Sequence, residues 1–147
     1  MLFRSGEVRR HEYNLETHIN ASGCRDVVRT MGYLTESEMQ KVLHASDLVM
    51  SLRYPTYGES SGSVARALGL GCALVVTKGG SYAELPDDTC IKIPAKQDPS
   101  NELADLIRAA AENRDMLTDI RTAALQYARS ALDPARIALR YSEIAHA

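Results

Sequence analysis

The stretch YPTYGESSGSVARALGLGCALVV, residues 54–76, sets turn formers, one acid, three serines and one arginine in front of an apolar helix and a strand. From Ser61, the positions Val64, Ala67, Leu68 and Gly71 repeat on one helical face, and Gly69 and Gly71 close the helix before a strand beginning at Ala73. A helix start presents unpaired N–H groups and the positive end of its dipole, and small residues there let an anion come close. Ser60, Ser61, Gly62 and Ser63 can offer backbone N–H groups and hydroxyls, and Arg53 before the turn adds positive charge. The other reading is a helix that Ser60 or Ser61 simply caps, with glycines that only permit turns.

Working outward, apolar runs that suit buried strands occur at Val27–Met31, Leu48–Leu52, Ala73–Thr77 and Cys90–Ile93, separated by helical or loop segments. That alternation predicts an α/β fold: a Rossmann-like parallel sheet of four or five strands flanked by helices. Between the first two runs, Thr35 and Glu38 form a capping-box pattern, and Met39, Val42, Leu43 and Ser46 follow at helical spacing. After Ile93, Asp98 and Pro99 start a helix that carries Leu103, Leu106, Ile107 and Ala110 on one face. A second helix is expected from about Met116 to Ala131. A third starts at Asp133–Pro134 with Ile137, Tyr141, Ile144 and Ala145 on one stripe. At the other end, MLFRSGEV suggests a short strand and Tyr13–Asn20 a helix. A sheet that begins this way looks truncated on its N-terminal side.

Composition narrows the possibilities. With 147 residues and 45% hydrophobic content, the chain has the size of one globular domain, residues 1–147. Seventeen basic and 19 acidic residues give a net charge of −2 without long runs of either sign, which argues against nucleic acid and anionic membrane as partners. Cys24, Cys72 and Cys90 have no CxxC spacing and read as buried reduced thiols in a cytosol. His11, His18, His44 and His146 lack ligand spacing, so no metal is expected. No segment approaches about 18 consecutive apolar residues, so the chain reads as soluble and cytoplasmic.

The ordered series GYL (Gly32–Leu34), ASDLVMSL (Ala45–Leu52), RALGLG (Arg66–Gly71) and GGSYAEL (Gly79–Leu85) resembles the donor-binding C-terminal domain of GT-B retaining glycosyltransferases, the glycosyl transferases group 1 family. The resemblance runs from about Val27 to Ala145. It implies one half of a GT-B fold followed by C-terminal helices, and a nucleotide-sugar donor as substrate. It implies no metal and no other cofactor. The full enzyme would transfer a hexose to a saccharide or lipid-linked acceptor, and it could sit at the periphery of the inner membrane.

By this resemblance the donor diphosphate lies against Arg53, Ser60, Ser61, Gly62, Ser63, Arg66 and Lys78. The sugar lies against Glu59, Gly80, Ser81 and Glu84, and the nucleobase against Gly32, Tyr33 and Leu34. The chain departs from the family pattern of a Glu, seven residues and a second Glu before RALGLG. Arg66 stands where the second Glu is expected and Gly58 where the first is, with Glu59 one place later. A guanidinium only donates, so Arg66 cannot accept from ribose hydroxyls, but it can pair with a phosphate or hold Glu59; otherwise it is a surface arginine. Its expected place is the first turn of the helix. Glu59 suits sugar hydroxyls or a helix N-terminal charge. Lys78 brings a cation to the next strand-to-loop junction, where Gly79, Gly80 and Ser81 could use backbone N–H groups. Glu84 matches a family Glu or serves as the N-terminal acid of a short helix.

The family's domain also carries an earlier strand and helix supplying an Arg and a Lys to the diphosphate, and an acceptor-binding N-terminal domain. Both are expected to be missing here, which predicts little transferase activity from this chain alone. A noncatalytic α/β interaction module is the alternative. In either case an exposed sheet edge would let copies associate.

Overall fold

The computed structural model describes residues 14–56 and 60–146. The chain divides into two compact units, Met1–Lys41 and Val42–Ala147. In the first, α1 (Leu15–Ala21) starts at Asn14, whose side chain accepts the Thr17 N–H. Glu16 on α1 pairs with Arg25 and accepts from Thr30 Oγ1 at 3.2 Å. The predicted strand at residues 27–31 does not form: Val28 makes a single bridge, and Val27 and Val28 both turn back onto the Cys24 carbonyl. Val27 is 66% exposed, since two valines followed by Arg29 and Thr30 provide too little apolar surface to bury a strand. The suggested strand in MLFRSGEV lies outside the described residues.

Helix α2 (Glu36–Ala45) begins with the capping box. Glu38 Oε2 accepts the Thr35 N–H at 2.8 Å, and Thr35 Oγ1 accepts the Glu38 N–H at 3.4 Å. The boundary between the two units falls within this helix.

The second unit holds a parallel sheet in the order β1 (Val49–Ser51), β2 (Leu74–Lys78), β3 (Ile91–Pro94). The sheet therefore has three strands among the described residues, not the four or five expected. Its central strand starts at Leu74, one residue later than predicted; Leu74, Val75 and Val76, with Ala73 just before them, are fully buried, as a parallel strand covered on both faces demands. Val49 pairs with Leu74, and Val75 with Ile91.

Helix α3 (Gly62–Gly69) connects β1 to β2 and buries Val64, Ala67 and Leu68. Gly71, at φ +65°, makes the turn into β2; a Cβ there would lie 3.4 Å from the Arg121 carbonyl oxygen. A 3-10 turn (Gly80–Glu84) leads from β2 toward β3. Then follow α4 (Ser100–Glu112), α5 (Asp115–Ala131) and α6 (Pro134–Ala145).

Asp98 accepts the Ser100 N–H at 3.0 Å, but α4 starts one residue later than predicted, with Pro99 in the capping position. Ala110 is buried beside Ala73 and Leu117, whereas Ile107, expected on the same face, is 47% exposed. Helix α5 buries Leu117, Ala124 and Ala128. Helix α6 begins as predicted, with Asp133 accepting the Ala135 N–H at 2.9 Å, yet none of its residues is buried. Cys72 and Cys90 are buried; Cys24, between two turns, is only partly so, contrary to expectation. Among the described residues no helix is long and apolar enough to cross a membrane.

Candidate functional site

The carboxyl ends of β1 and β2 and the start of α3 gather most of the second unit's predicted site residues, the position where open parallel sheets bind ligands. Ser61 caps α3: its Oγ accepts the Val64 N–H at 3.4 Å and lies 2.9 Å from Ser63 Oγ. The Ala65 N–H begins the helical ladder on the Ser61 carbonyl. That leaves the N–H groups of Gly62 and Ser63 without a partner inside the helix, and both residues are exposed. Ser61 thus does what the simpler sequence reading required and still leaves two donors at the positive end of the dipole. Ser60 is exposed just before the cap.

Arg66 does not stand in the first turn as expected. The helix runs only from Gly62 to Gly69, so Arg66, four residues in and about 6 Å along the axis from Gly62, stands in the last turn. It is exposed. Glu59 and Gly58, the positions compared with the family's acid pair, lie outside the described residues.

The loop leaving β1 is tied to β2. Thr77, buried at the carboxyl end of β2, accepts the Arg53 N–H on its Oγ1 at 3.0 Å. One step on, Lys78 is exposed at the end of the strand. Gly79 then lies against the β1 loop, where a Cβ would come 3.1 Å from Thr56 Cγ2. Its backbone is extended, so closeness rather than conformation calls for glycine here. Gly80, by contrast, takes φ +53°.

The 3-10 turn that follows is pinned along its length. Tyr82 is buried with its hydroxyl 3.4 Å from Ser51 Oγ. At the exit, Lys92 Nζ donates to the Ala83 carbonyl at 3.1 Å, to the Leu85 carbonyl, and to Asp87 Oδ1 at 2.7 Å. The hydrogen bond from Lys92, reinforced by its charge, holds the Asp87 carboxyl below the usual carboxylate range. Glu84 closes this turn and is exposed, which overturns its reading as an N-terminal acid of a short helix. Ser81 is half-buried within it.

Gly32, Tyr33 and Leu34 belong to the first unit. Gly32 turns the chain at φ +62°, and Tyr33 is 89% exposed; among the described residues no strand precedes them, contrary to expectation. Sequence reasoning missed Thr77, Tyr82 and Lys92 as organisers of the β1 and β2 loops. A tyrosine inside the otherwise small-residue stretch GGSYA, residues 79–83, was the available signal for one of them. Among the described residues no group of three or more His, Cys, Asp or Glu is placed to hold a metal ion.

No protein-family model and no curated protein sequence matches the chain. Solved structures do match in fold. HepE from Anabaena in complex with UDP-glucose aligns over 98% of this chain and 40% of its own, with a TM-score of 0.84 and 20% identity. Its complex with UDP aligns over 90% of this chain and 35% of its own, with a TM-score of 0.77 and 21% identity. Sucrose-phosphate synthase from Thermosynechococcus elongatus aligns over 98% and 37%, with a TM-score of 0.79 and 16% identity. The chain therefore has the α/β fold of the matching part of these structures, a parallel sheet flanked by helices. It spans well under half the length of the structures it matches.

Proposed function

We propose that the chain is the donor-binding half of a metal-independent retaining glycosyltransferase, a single nucleotide-sugar domain. The donor diphosphate rests on the Ser60–Ser63 helix start with Arg53, Arg66 and Lys78 supplying charge. The sugar faces Gly80, Ser81 and Glu84. The observation that carries this reading is the pair of helix N–H groups, Gly62 and Ser63, exposed at the carboxyl edge of a parallel sheet. The likeness in fold to HepE, solved with UDP and with UDP-glucose, supports it. Transfer of a hexose to a saccharide or lipid-linked acceptor is the activity of an assembly that also holds the acceptor.

Titration calorimetry with UDP, ADP and GDP tests the reading. Saturable binding of one of them, weakened by Ser61→Ala and by Arg66→Ala, is the expected outcome. No heat at millimolar ligand overturns it. One observation favours a noncatalytic interaction module instead: Ile137, Tyr141 and Ile144, on one stripe of α6, are all exposed, a surface that a partner could cover.

A further inference from the structure

We propose that Lys92 is a positioning residue for the sugar end of the donor, acting through the exit of the Gly80–Glu84 turn on the Gly79–Ser81 backbone; the inference rests on the donor-binding reading above. The side chain of Lys92 is only 9% exposed although it carries a charge. An ammonium has three donors, and here three acceptors take them: the carbonyls of Ala83 and Leu85 and the carboxylate of Asp87. Desolvating a charge is costly unless it is fully partnered, so this residue holds its three partners firmly in place.

What it holds is the far end of the turn whose near end faces the proposed sugar position. The turn has three anchors in chain order: Gly79 against Thr56, Tyr82 beside Ser51, and the Ala83–Leu85 exit on Lys92. Without the third anchor two carbonyls lose their donor and the exit relaxes, while the sheet pairing of β3 is made by backbone groups and persists. The start of α3 is a different element and shares none of these bonds. Affinity for the sugar should therefore depend on Lys92 and affinity for the diphosphate should not, because preorganisation is lost only in the turn.

The test measures dissociation constants of the chain for UDP, ADP and GDP and for their glucose conjugates. In the wild type, a conjugate is expected to bind more tightly than its parent. In Lys92→Met that advantage should fall about fivefold to tenfold, while the parent diphosphate stays within about twofold. Asp87→Asn alters a carboxylate that is 92% exposed and should give a smaller loss in the same direction. If circular dichroism shows Lys92→Met unfolded, Asp87→Asn decides in its place. An unchanged ratio in the deciding variant overturns the inference alone, as does a parallel loss of parent and conjugate, which marks a purely structural lysine. Wild type that binds a diphosphate without preferring its conjugate has the same consequence. Wild type that binds none of the six ligands overturns the donor-binding reading and this inference with it.

Discussion

The Arg53 N–H donates to Thr77 Oγ1 at 3.0 Å, so the loop that leaves β1 hangs from a side chain on the neighbouring strand. The ladder between β1 and β2 ends at Ser51 and Val76, and Thr77 catches the next backbone donor but one. Thr77→Val keeps the shape and orphans that N–H. It should cost about 1–3 kcal/mol in urea unfolding and weaken nucleotide binding, while Thr77→Ser should do neither. Equal stability of Thr77→Val and wild type would show that the bond contributes nothing.

Arg121 on α5 closes the end of α2. It donates to the carbonyls of Ser46 at 3.1 Å and Asp47 at 2.9 Å. Arg121→Met retains most of the aliphatic stem and loses both bonds, so unfolding should become easier by about 1–3 kcal/mol. A melting temperature matching wild type counts against this clamp.

Stability should decline in acid. Hydrogen bonds from the Thr35 hydroxyl and N–H hold the Glu38 carboxyl below its ordinary range. Lys92 does the same for Asp87, Ser100 for Asp98 and Lys96 for Glu102. A carboxylate with a depressed folded-state pKa binds protons more readily when unfolded. Its stabilisation is present above the unfolded value, about 4, and is lost as pH falls through the folded one. Thr35→Ala should move the Glu38 midpoint upward in a carboxyl NMR titration; a midpoint that stays put would mean the capping box is not formed.

The cysteines should differ in reactivity. Burial pushes the thiols of Cys72 and Cys90 up, and Cys72 is also enclosed near the Leu43 carbonyl, 3.6 Å from its Sγ. A disulfide reagent near neutral pH should label Cys24 first and the other two only on unfolding. Uniform labelling of all three in the folded chain is the contrary result.

Local patterns in the sequence settled much of the fold. The run through Ala73 and Val76 is a strand because nothing polar interrupts it. Thr35 with Glu38, Ser61 before Gly62, and Asp133 before Pro134 mark three helix starts because a cap needs partners only two or three residues away. The turn formers and serines before α3 likewise made its N-terminus legible as a site. Tertiary structure decided what depends on distant partners. Val27 and Val28 looked like the start of a strand but turned back onto the Cys24 carbonyl, which takes both their N–H groups. Thr77 reaches the backbone 24 residues earlier, and Arg121 reaches carbonyls 74 and 75 residues earlier. Lys92, a charge within the apolar run Cys90–Ile93, clamps the loop between β2 and β3 through the carbonyls of Ala83 and Leu85, which no local pattern announces. Register and packing choose such bonds, and no periodicity in the chain records them.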